Sequence, residues 1–229
     1  MHLGLIAMQL LTISVAKPRL IEHGGRRVKT GIYKEPVATP VRATALGLEG
    51  DVQVDRNHHG GPDKAIYVYT VENYRHWERV LQRGPFPHGQ FGENFTVSGM
   101  PDEVIHIGDR FRVGTLLVEV TQPRVPCFKL GVKMGDPDFV PRFLHSGRVG
   151  FYLRVLEEGE VRAGDAIVPV RMDPLGLNLQ DSMLARLPGP RQAEIIDRAL
   201  KIEALSQAWR EDLEKRRRAL LRTGPDPVP

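Results

Sequence analysis

Short apolar runs separated by Gly, Pro and Asp dominate the chain from about Leu10 to Val170. They are Leu11-Thr-Ile-Ser-Val15, Ala65-Ile-Tyr-Val-Tyr69, Asn94-Phe-Thr-Val97, Leu116-Leu-Val-Glu-Val120, Phe151-Tyr-Leu-Arg-Val155 and Ala166-Ile-Val-Pro-Val170. β-branched and aromatic residues fill these runs and turn residues bound them, which is the pattern of strands. Many short strands at this spacing predict a barrel or sandwich. Gly50-Asp51, Gly108-Asp109 and Gly164-Asp165 each precede an expected strand. This is turn chemistry, because Gly accepts positive φ and Asp hydrogen-bonds its own backbone. Two helices are predicted among the strands. Thr70 is placed to cap one whose apolar face carries Val71, Tyr74, Trp77 and Leu81 and which ends near Gly84-Pro85. The second runs from about Asp138 to Ser146, with Phe139, Phe143 and Leu144 as its apolar side, Pro141 in its first turn and Gly147 as its stop.

After about Arg171 the strand-like runs vanish and three helical patterns follow. Asp181 or Ser182 starts the first, which carries Met183, Leu184 and Leu187 and stops at Pro188-Gly189. Pro190 fits the first turn of the next, with Ile195, Ile196, Ala199 and Leu200 on one side. Ser206 caps the third, in which Leu205, Trp209, Leu213 and Leu220 recur at helical spacing. The expected fold class is therefore mainly β with added helices (α+β). A β domain over residues 1–170 precedes a small helical module over 171–229, with a frayed tail from Gly224.

Composition narrows the class. The 229 residues are 41% hydrophobic and 26% charged, which suits a globular protein with a real core rather than a disordered chain. The net charge of +4 admits an anionic small-molecule ligand without demanding nucleic acid. A single cysteine excludes an intramolecular disulfide framework and any multi-cysteine zinc or iron–sulfur site, and it fits a reducing, cytoplasmic setting. The apolar stretch Leu3 to Val15 has no Lys or Arg ahead of it, so the basic region of a secretory signal is missing and the stretch reads as a strand. No other run approaches the length of a membrane span.

Candidate chemistry concentrates in a few segments. Asp55-Arg-Asn-His-His-Gly-Gly-Pro-Asp-Lys64 is a poor core segment and a good exposed loop. His58 and His59 are adjacent and point to opposite sides of an extended chain, so they do not readily chelate one metal together. Lys64 and one of the histidines can bind an anion with backbone N–H groups near Gly60-Gly61, or the loop is simply solvated. On residue chemistry the two readings stand level. In Gln122-Pro-Arg-Val-Pro-Cys127-Phe-Lys-Leu130, two prolines fix the backbone around Arg124, and Arg124 and Lys129 flank the sole cysteine. Neighbouring cations favour thiolate, the nucleophilic and metal-binding form. A lone Cys beside Phe128 is more often a small core residue, and residue chemistry alone favours that. Lys17, Arg19, Arg26, Arg27, Lys29 and Lys34, with Thr30-Gly31 among them, can gather a phosphate or form a solvated hairpin. In Phe91-Gly-Glu-Asn94, Glu93 and Asn94 line a cleft or close a turn. The basic cluster Lys215-Arg-Arg-Arg218 with Arg222 is offset by Glu211, Asp212 and Glu214, and a solvated helix face is favoured over a nucleic-acid surface. Walker A, Rossmann, H-E-x-x-H and G-x-S-x-G signatures are absent.

Taken in order, the motifs Met8-Gln-Leu-Leu-Thr-Ile-Ser-Val15, Thr30-Gly-Ile-Tyr-Lys-Glu-Pro-Val37, Gly47-Leu-Glu-Gly-Asp51, His58-His-Gly-Gly-Pro-Asp-Lys-Ala65, Phe91-Gly-Glu-Asn-Phe-Thr-Val97, Gln122-Pro-Arg-Val-Pro-Cys127 and Gly147-Arg-Val-Gly-Phe-Tyr-Leu-Arg-Val-Leu156 resemble the MOSC family. That family is named for the C-terminal domain of molybdenum cofactor sulfurase. Within it the chain resembles the bacterial YiiM-type subgroup, in which a three-helix module follows the MOSC domain. The resemblance covers nearly the whole chain and makes Met1 to Ala7 an extension ahead of the usual start. It implies a MOSC-type β-barrel that binds the molybdenum cofactor (molybdopterin), with the characteristic cysteine at Cys127 as the metal ligand. It implies an oxidoreductase that reduces N-hydroxylated compounds such as hydroxylaminopurine-like bases to amines, a detoxifying activity. Electrons then come from a separate donor protein.

The resemblance implies Lys34, Lys64, Arg124 and Arg148 as cations for the cofactor phosphate. Thr30, His58 and Asn94 complete the cofactor-binding set, and His59 is the candidate proton donor. Gly92-Glu93 stands where the reductase members carry Arg-Pro before the Asn, so other cations must serve that contact. Two alternatives remain open at this point: a sulfur carrier using a persulfide on Cys127, and a non-enzymatic cofactor- or partner-binding module. Oligomeric state is open, and no membrane is implied.

Overall fold

The computed structural model describes residues 7–54 and 60–223. In chain order its strands are β1 (Gln9–Val15), β2 (Arg19–His23), β3 (Arg26–Thr30), β4 (Glu35–Val37), β5 (Val41–Thr44), β6 (Gly47–Leu48), β7 (Ile66–Thr70), β8 (Phe95–Ser98), β9 (Arg110–Val113), β10 (Leu116–Pro123), β11 (Phe151–Glu157), β12 (Gly159–Val161) and β13 (Ile167–Arg171). The helices are α1 (Val71–Leu81), α2 (Phe128–Met134), α3 (Phe139–His145), α4 (Leu179–Ser182), α5 (Gln192–Ala199) and α6 (Gln207–Thr223). Short 3₁₀ turns cover Pro62–Lys64 and Met183–Arg186. None of these helices is long and apolar enough to cross a membrane.

The architecture is α+β around one dominant sheet. Eight strands run in the order β13-β9-β10-β11-β7-β8-β1-β4. The sheet curls until its distant strands meet. Gln9 in β1 bridges Ala166, Ile167 N–H donates to the Met8 carbonyl at 2.9 Å, and Leu10 N–H donates to the Asp165 carbonyl at 2.9 Å. The approach is barrel-like, although β1 and β13 join through this bridge rather than a full ladder. β7 and β8 pair in parallel, with Val68 opposite Phe95. Parallel neighbours need a crossover, and α1 supplies it. Thr70 caps α1 as expected, its side chain accepting the Glu72 N–H. β10 is bulged between Val120 and Gln122, which redirects the chain just ahead of Arg124 and Cys127.

α1 and α3 cover an aromatic cluster at one end of the sheet. Tyr69 and Phe91 meet with centroids 4.5 Å apart, Tyr74 meets Phe91 at 4.8 Å, and Trp77 meets Phe139 at 4.8 Å. The polar tips are satisfied inside it. Trp77 Nε1 donates to the Tyr69 hydroxyl at 2.9 Å, which donates to the Arg148 carbonyl at 3.0 Å. The C-terminal helices bury Ile195, Ile196, Trp209 and Leu213 in the same continuous cluster as the sheet.

Two elements differ from the sequence expectation, and a third matches it. Three helices, not two, interrupt the strands, because α2 follows Cys127. Its local signal was hidden by Pro123, Pro126 and Gly131, and its inward residues Leu130 and Met134 gain their burial from the sheet. The first C-terminal helix starts earlier than Asp181. Asn178 is its cap, accepting the Asp181 N–H, and the chain continues as a 3₁₀ turn through Met183. The third C-terminal cap is Ser206 as expected, with Trp209 N–H on its hydroxyl at 3.2 Å.

Gly150 marks the closest approach of β11 to β7. Its φ is +67°, and a Cβ there would run into the Val68 carbonyl oxygen. Its own carbonyl accepts the Arg124 N–H at 3.0 Å. Gly150→Ala is therefore expected to lose roughly 2–4 kcal/mol from combined backbone strain and clash. Urea unfolding checks this, and a loss under about 0.5 kcal/mol, the size of an ordinary surface substitution, contradicts it.

Candidate functional site

An open cleft with about 100 Å³ of interior space lies where the end of β3, the β7–β8 region and the segment after β10 converge. Among the described residues, Lys34, Lys64, Arg124 and Lys129 line it, and no carboxylate does. Cys127 and Asn94 also line it, as do Thr30 and the rings of Tyr67 and Tyr152. Burial pushes the hydroxyl pKa values of Tyr67 and Tyr152 up, so both stay neutral. The wall at Thr30–Ile32 is a close backbone contact. A Cβ on Gly31 would lie 2.5 Å from the Val52 carbonyl oxygen.

Cys127 is half-buried and extended, with φ −128° and ψ 171°, immediately before α2. Leu130 and Met134 turn α2 inward, while Phe128 stays on the surface. That twist leaves the thiol residue on the cleft lining rather than in the core, against the reading that residue chemistry alone favours.

Lys34 is buried and its ammonium sits 2.6 Å from both oxygens of Asp51. Burial pulls its pKa down and Asp51 opposes this. Asp51 also accepts the Ala16 N–H at 2.8 Å and the Asn94 amide at 2.8 Å. Asn94 in turn donates to the Ser14 carbonyl at 3.2 Å and accepts the Tyr67 N–H at 3.1 Å. Asn94 thus pins the ends of β1, β7 and β8 together at the cleft wall. Thr30 is buried, and its hydroxyl accepts the Ile32 N–H at 3.2 Å.

Arg124 is buried beneath the cleft. Its guanidinium donates to the Phe91 carbonyl at 3.0 Å and the Tyr67 hydroxyl at 3.3 Å, and lies 4.6 Å from the Tyr67 ring centroid. Behind it, Glu93 is fully buried and closes a turn. Its carboxylate accepts the Gly89 N–H at 2.7 Å, the Phe91 N–H at 3.1 Å and the Thr96 hydroxyl at 2.9 Å. Lys133 reaches the same turn and donates to the Ile32 carbonyl at 2.9 Å and the Gly89 carbonyl at 2.6 Å. Burial lowers its pKa to about 8, with Glu93 opposing.

Lys64 ends the 3₁₀ turn on the opposite wall. Gln53 clamps this segment, donating to the Lys64 carbonyl at 3.1 Å and accepting the Gly61 N–H at 3.2 Å. Asp63 anchors it from behind through Arg154 at 2.7 Å and through the Gln207 N–H at 2.9 Å. The start of α6 therefore braces the cleft loop.

The structure brings together Thr30, Lys34, Lys64, Asn94, Arg124 and Cys127. It does not bring Arg148. That side chain lies away from the cleft, paired with Glu103 at 2.9 Å and donating to Asn73 at 3.3 Å. Arg148 is corrected on this ground as a cleft cation. Its place near Phe151 in sequence says only that it precedes β11. His58 and His59 lie outside the described residues. Sequence reasoning missed Asp51, read only as a turn residue, and Lys133. Lys133 follows Lys129 by four residues, a signal that becomes visible only once α2 is recognised as a helix.

Comparison with known proteins relates the sequence and the fold to others. The MOSC domain family model matches residues 55–168. The chain is 39% identical over 212 residues to an uncharacterized protein, YflK, from Bacillus subtilis, covering 93% of this chain and 96% of that protein. The crystal structure of YiiM from Geobacillus stearothermophilus superposes with a TM-score of 0.78 at 36% identity, covering 92% of this chain and 99% of YiiM. A protein named reductase from Gibberella moniliformis is 35% identical over 146 residues, which is 62% of this chain and 26% of that protein.

Lys133 gives the site a pH signature. In the unfolded chain it titrates near 10.5 and in the fold near 8. Between those values the unfolded state binds more protons, so stability rises with pH there, and below about 8 the burial penalty is fully present. Urea unfolding of the wild type and Lys133→Met, compared across this window, cancels the contributions both proteins share. The expected result is a stability difference that shifts in favour of the wild type as pH rises. A difference that stays flat contradicts the assignment.

Proposed function

The chain belongs to the MOSC domain family, and on that premise we propose that its cleft holds the molybdenum cofactor and reduces small N-hydroxylated compounds to amines. Hydroxylaminopurine-like bases are the substrate class. The observation that carries the reading is the lone thiol residue of Cys127 on a cleft whose described lining holds four cations and no carboxylate. A soft thiolate suits molybdenum, and the cations suit a phosphate tail. Among the described residues no group of three or more His, Cys, Asp or Glu could hold a metal ion. The donor set fits a sulfur-chelated metal with an anionic tail. The relative named a reductase adds support for the reaction class.

When bound, the cofactor supplies two-electron redox chemistry. The chain's residues hold and orient. Cys127 supplies the protein ligand. Lys64 and Lys129 stand on the open side for the anionic tail. Lys34 is compensated by Asp51 and Arg124 is held by Phe91 and Tyr67, so both are preorganised and cost little reorganisation when an anion arrives. The reaction takes up two electrons and two protons and releases the amine and water. We assign His59 the proton delivered to the departing oxygen. The electrons come from a separate donor protein.

The test uses protein made in a cofactor-competent host, an N-hydroxylated purine and a reduced viologen as electron source. Cys127→Ser is expected to lose turnover by about 100-fold or more. His59→Gln is expected to lower kcat by about 100-fold or more, within the range of a lost proton donor. Wild-type turnover in Cys127→Ser would sink the mechanism. A persulfide on Cys127 with no turnover in the wild type would replace it with sulfur transfer.

A further inference from the structure

The net charge of the whole chain resides in one short segment. From Lys17 to Lys29 there are five cations against one carboxylate, Glu22, an excess equal to the chain's entire net charge of +4. Everything else is balanced. The structure shows how differently two basic regions are treated. On α6, Arg216 meets Asp212 at 2.9 Å and Arg217 meets Asp197 at 2.7 Å. The cations of the β2–β3 hairpin are exposed, and no ion pair ties Arg26, Arg27 or Lys29 to another described residue.

The hairpin is a built element. Gly24 and Gly25 take φ of +56° and +72°, which closes a two-residue turn of the tight hairpin kind. Its inner face is fixed: Ile21 is buried, and His23 stacks on Phe128 with centroids 4.3 Å apart. Arg19 is held 4.4 Å over the Tyr33 ring. The register places Leu20 opposite Lys29 and Glu22 opposite Arg27, so these share the outer face. That face holds the exposed Leu20, the cations Arg27 and Lys29, and the carboxylate of Glu22 opposite Arg27. It also adjoins the cleft, because Thr30 ends β3 on the cleft wall and Phe128 follows Cys127. A strand of five residues spans on the order of 17 Å, so the entire face lies within that distance of Thr30.

We propose that the outer face of the β2–β3 hairpin is the docking surface for an acidic electron-carrier protein, which delivers electrons to the adjoining cleft. The electron-delivery role rests on the reductase reading above. Charge complementarity selects the partner: an acidic surface with a small apolar centre matches Leu20 beside Lys29 and Arg27 on a hairpin segment whose cations outnumber its one carboxylate, Glu22. A nucleic acid would want rings free to stack on bases, and the rings nearest this face, His23 and Tyr33, are already engaged by Phe128 and Arg19. Two dockings, each oxidising one carrier by one electron, balance R–NHOH + 2 e⁻ + 2 H⁺ → R–NH₂ + H₂O.

The probe is an acidic flavodoxin. Its affinity for the full-length protein is measured at about 20 mM and about 300 mM salt, where screening lengths differ several-fold. The double variant R27E/K29E, both on the outer face, is compared with a control, K215E/R222E on α6. Expected are salt-sensitive binding by the wild type, a loss of about tenfold or more in the hairpin variant at low salt, and no such loss in the control. Viologen-driven turnover should be unchanged in the hairpin variant, which shows that its cleft is intact. Equal flavodoxin affinity in wild type and hairpin variant overturns the proposal. So does wild type that ignores flavodoxin but binds an oligonucleotide through the same two residues. Absence of viologen-driven turnover in the wild type would refute the reductase reading, while the binding comparison would still decide the docking surface.

Discussion

Asp51 is the carboxylate on which the cleft depends. It sits where the ends of three strands must meet, and it takes the Lys34 ammonium, the Asn94 amide and the Ala16 N–H together. A buried charge is costly unless it is paired and hydrogen-bonded, and here both oxygens are engaged. With Asp51 in place, a lysine can stand charged inside the wall of a cleft. Without it, Lys34 would be a buried cation with no carboxylate beside it, and Asn94 would lose one of the bonds through which it locks β1, β7 and β8. Glu93 has the matching role in the turn before Asn94, gathering backbone N–H groups so that Phe91 can present its carbonyl to Arg124.

These two acids explain how a cationic cleft survives within a fold. Lys34, Arg124 and Lys133 are all buried close to one another, and each is matched to a fixed acceptor. The cations on the open side, Lys64 and Lys129, belong to segments placed from outside the sheet. Lys64 is held through Gln53 and through Asp63, which reaches the start of α6. The C-terminal helices thereby contribute to the shape of the site without lining it. Ser206 adds a second tie, its hydroxyl donating to Gln122 at 2.6 Å just ahead of the Arg124 segment.

Much of this was legible in the sequence because the signals are local. Short apolar runs rich in β-branched and aromatic residues mark β1, β7, β10 and β11, and Thr70 and Ser206 announce their helices by cap chemistry. The motif segments that resemble the MOSC family also converge, with Thr30, Lys34, Lys64, Asn94, Arg124 and Cys127 on one cleft. What was not legible depends on contacts between distant residues. α2 has too few residues and too much proline nearby to show a period, and its identity comes from what Leu130 and Met134 pack against. Asp51 looks like half of a turn until Lys34 is seen 2.6 Å away. Arg148 belongs to the same motif run as β11, yet Glu103 and Asn73 take its side chain elsewhere. Sequence proximity to a motif does not fix where a long side chain goes.

Cys127 is proposed above as a protein ligand of a sulfur-chelated molybdenum in this cleft. Metal and pterin analysis of protein purified from a cofactor-competent host, wild type beside Cys127→Ser, tests it most directly. Equimolar molybdenum and pterin are expected in the wild type, and retained pterin with lost molybdenum in the variant, because the cationic lining is untouched. Wild-type protein that carries neither, or a variant that holds its molybdenum as well as the wild type does, would contradict it.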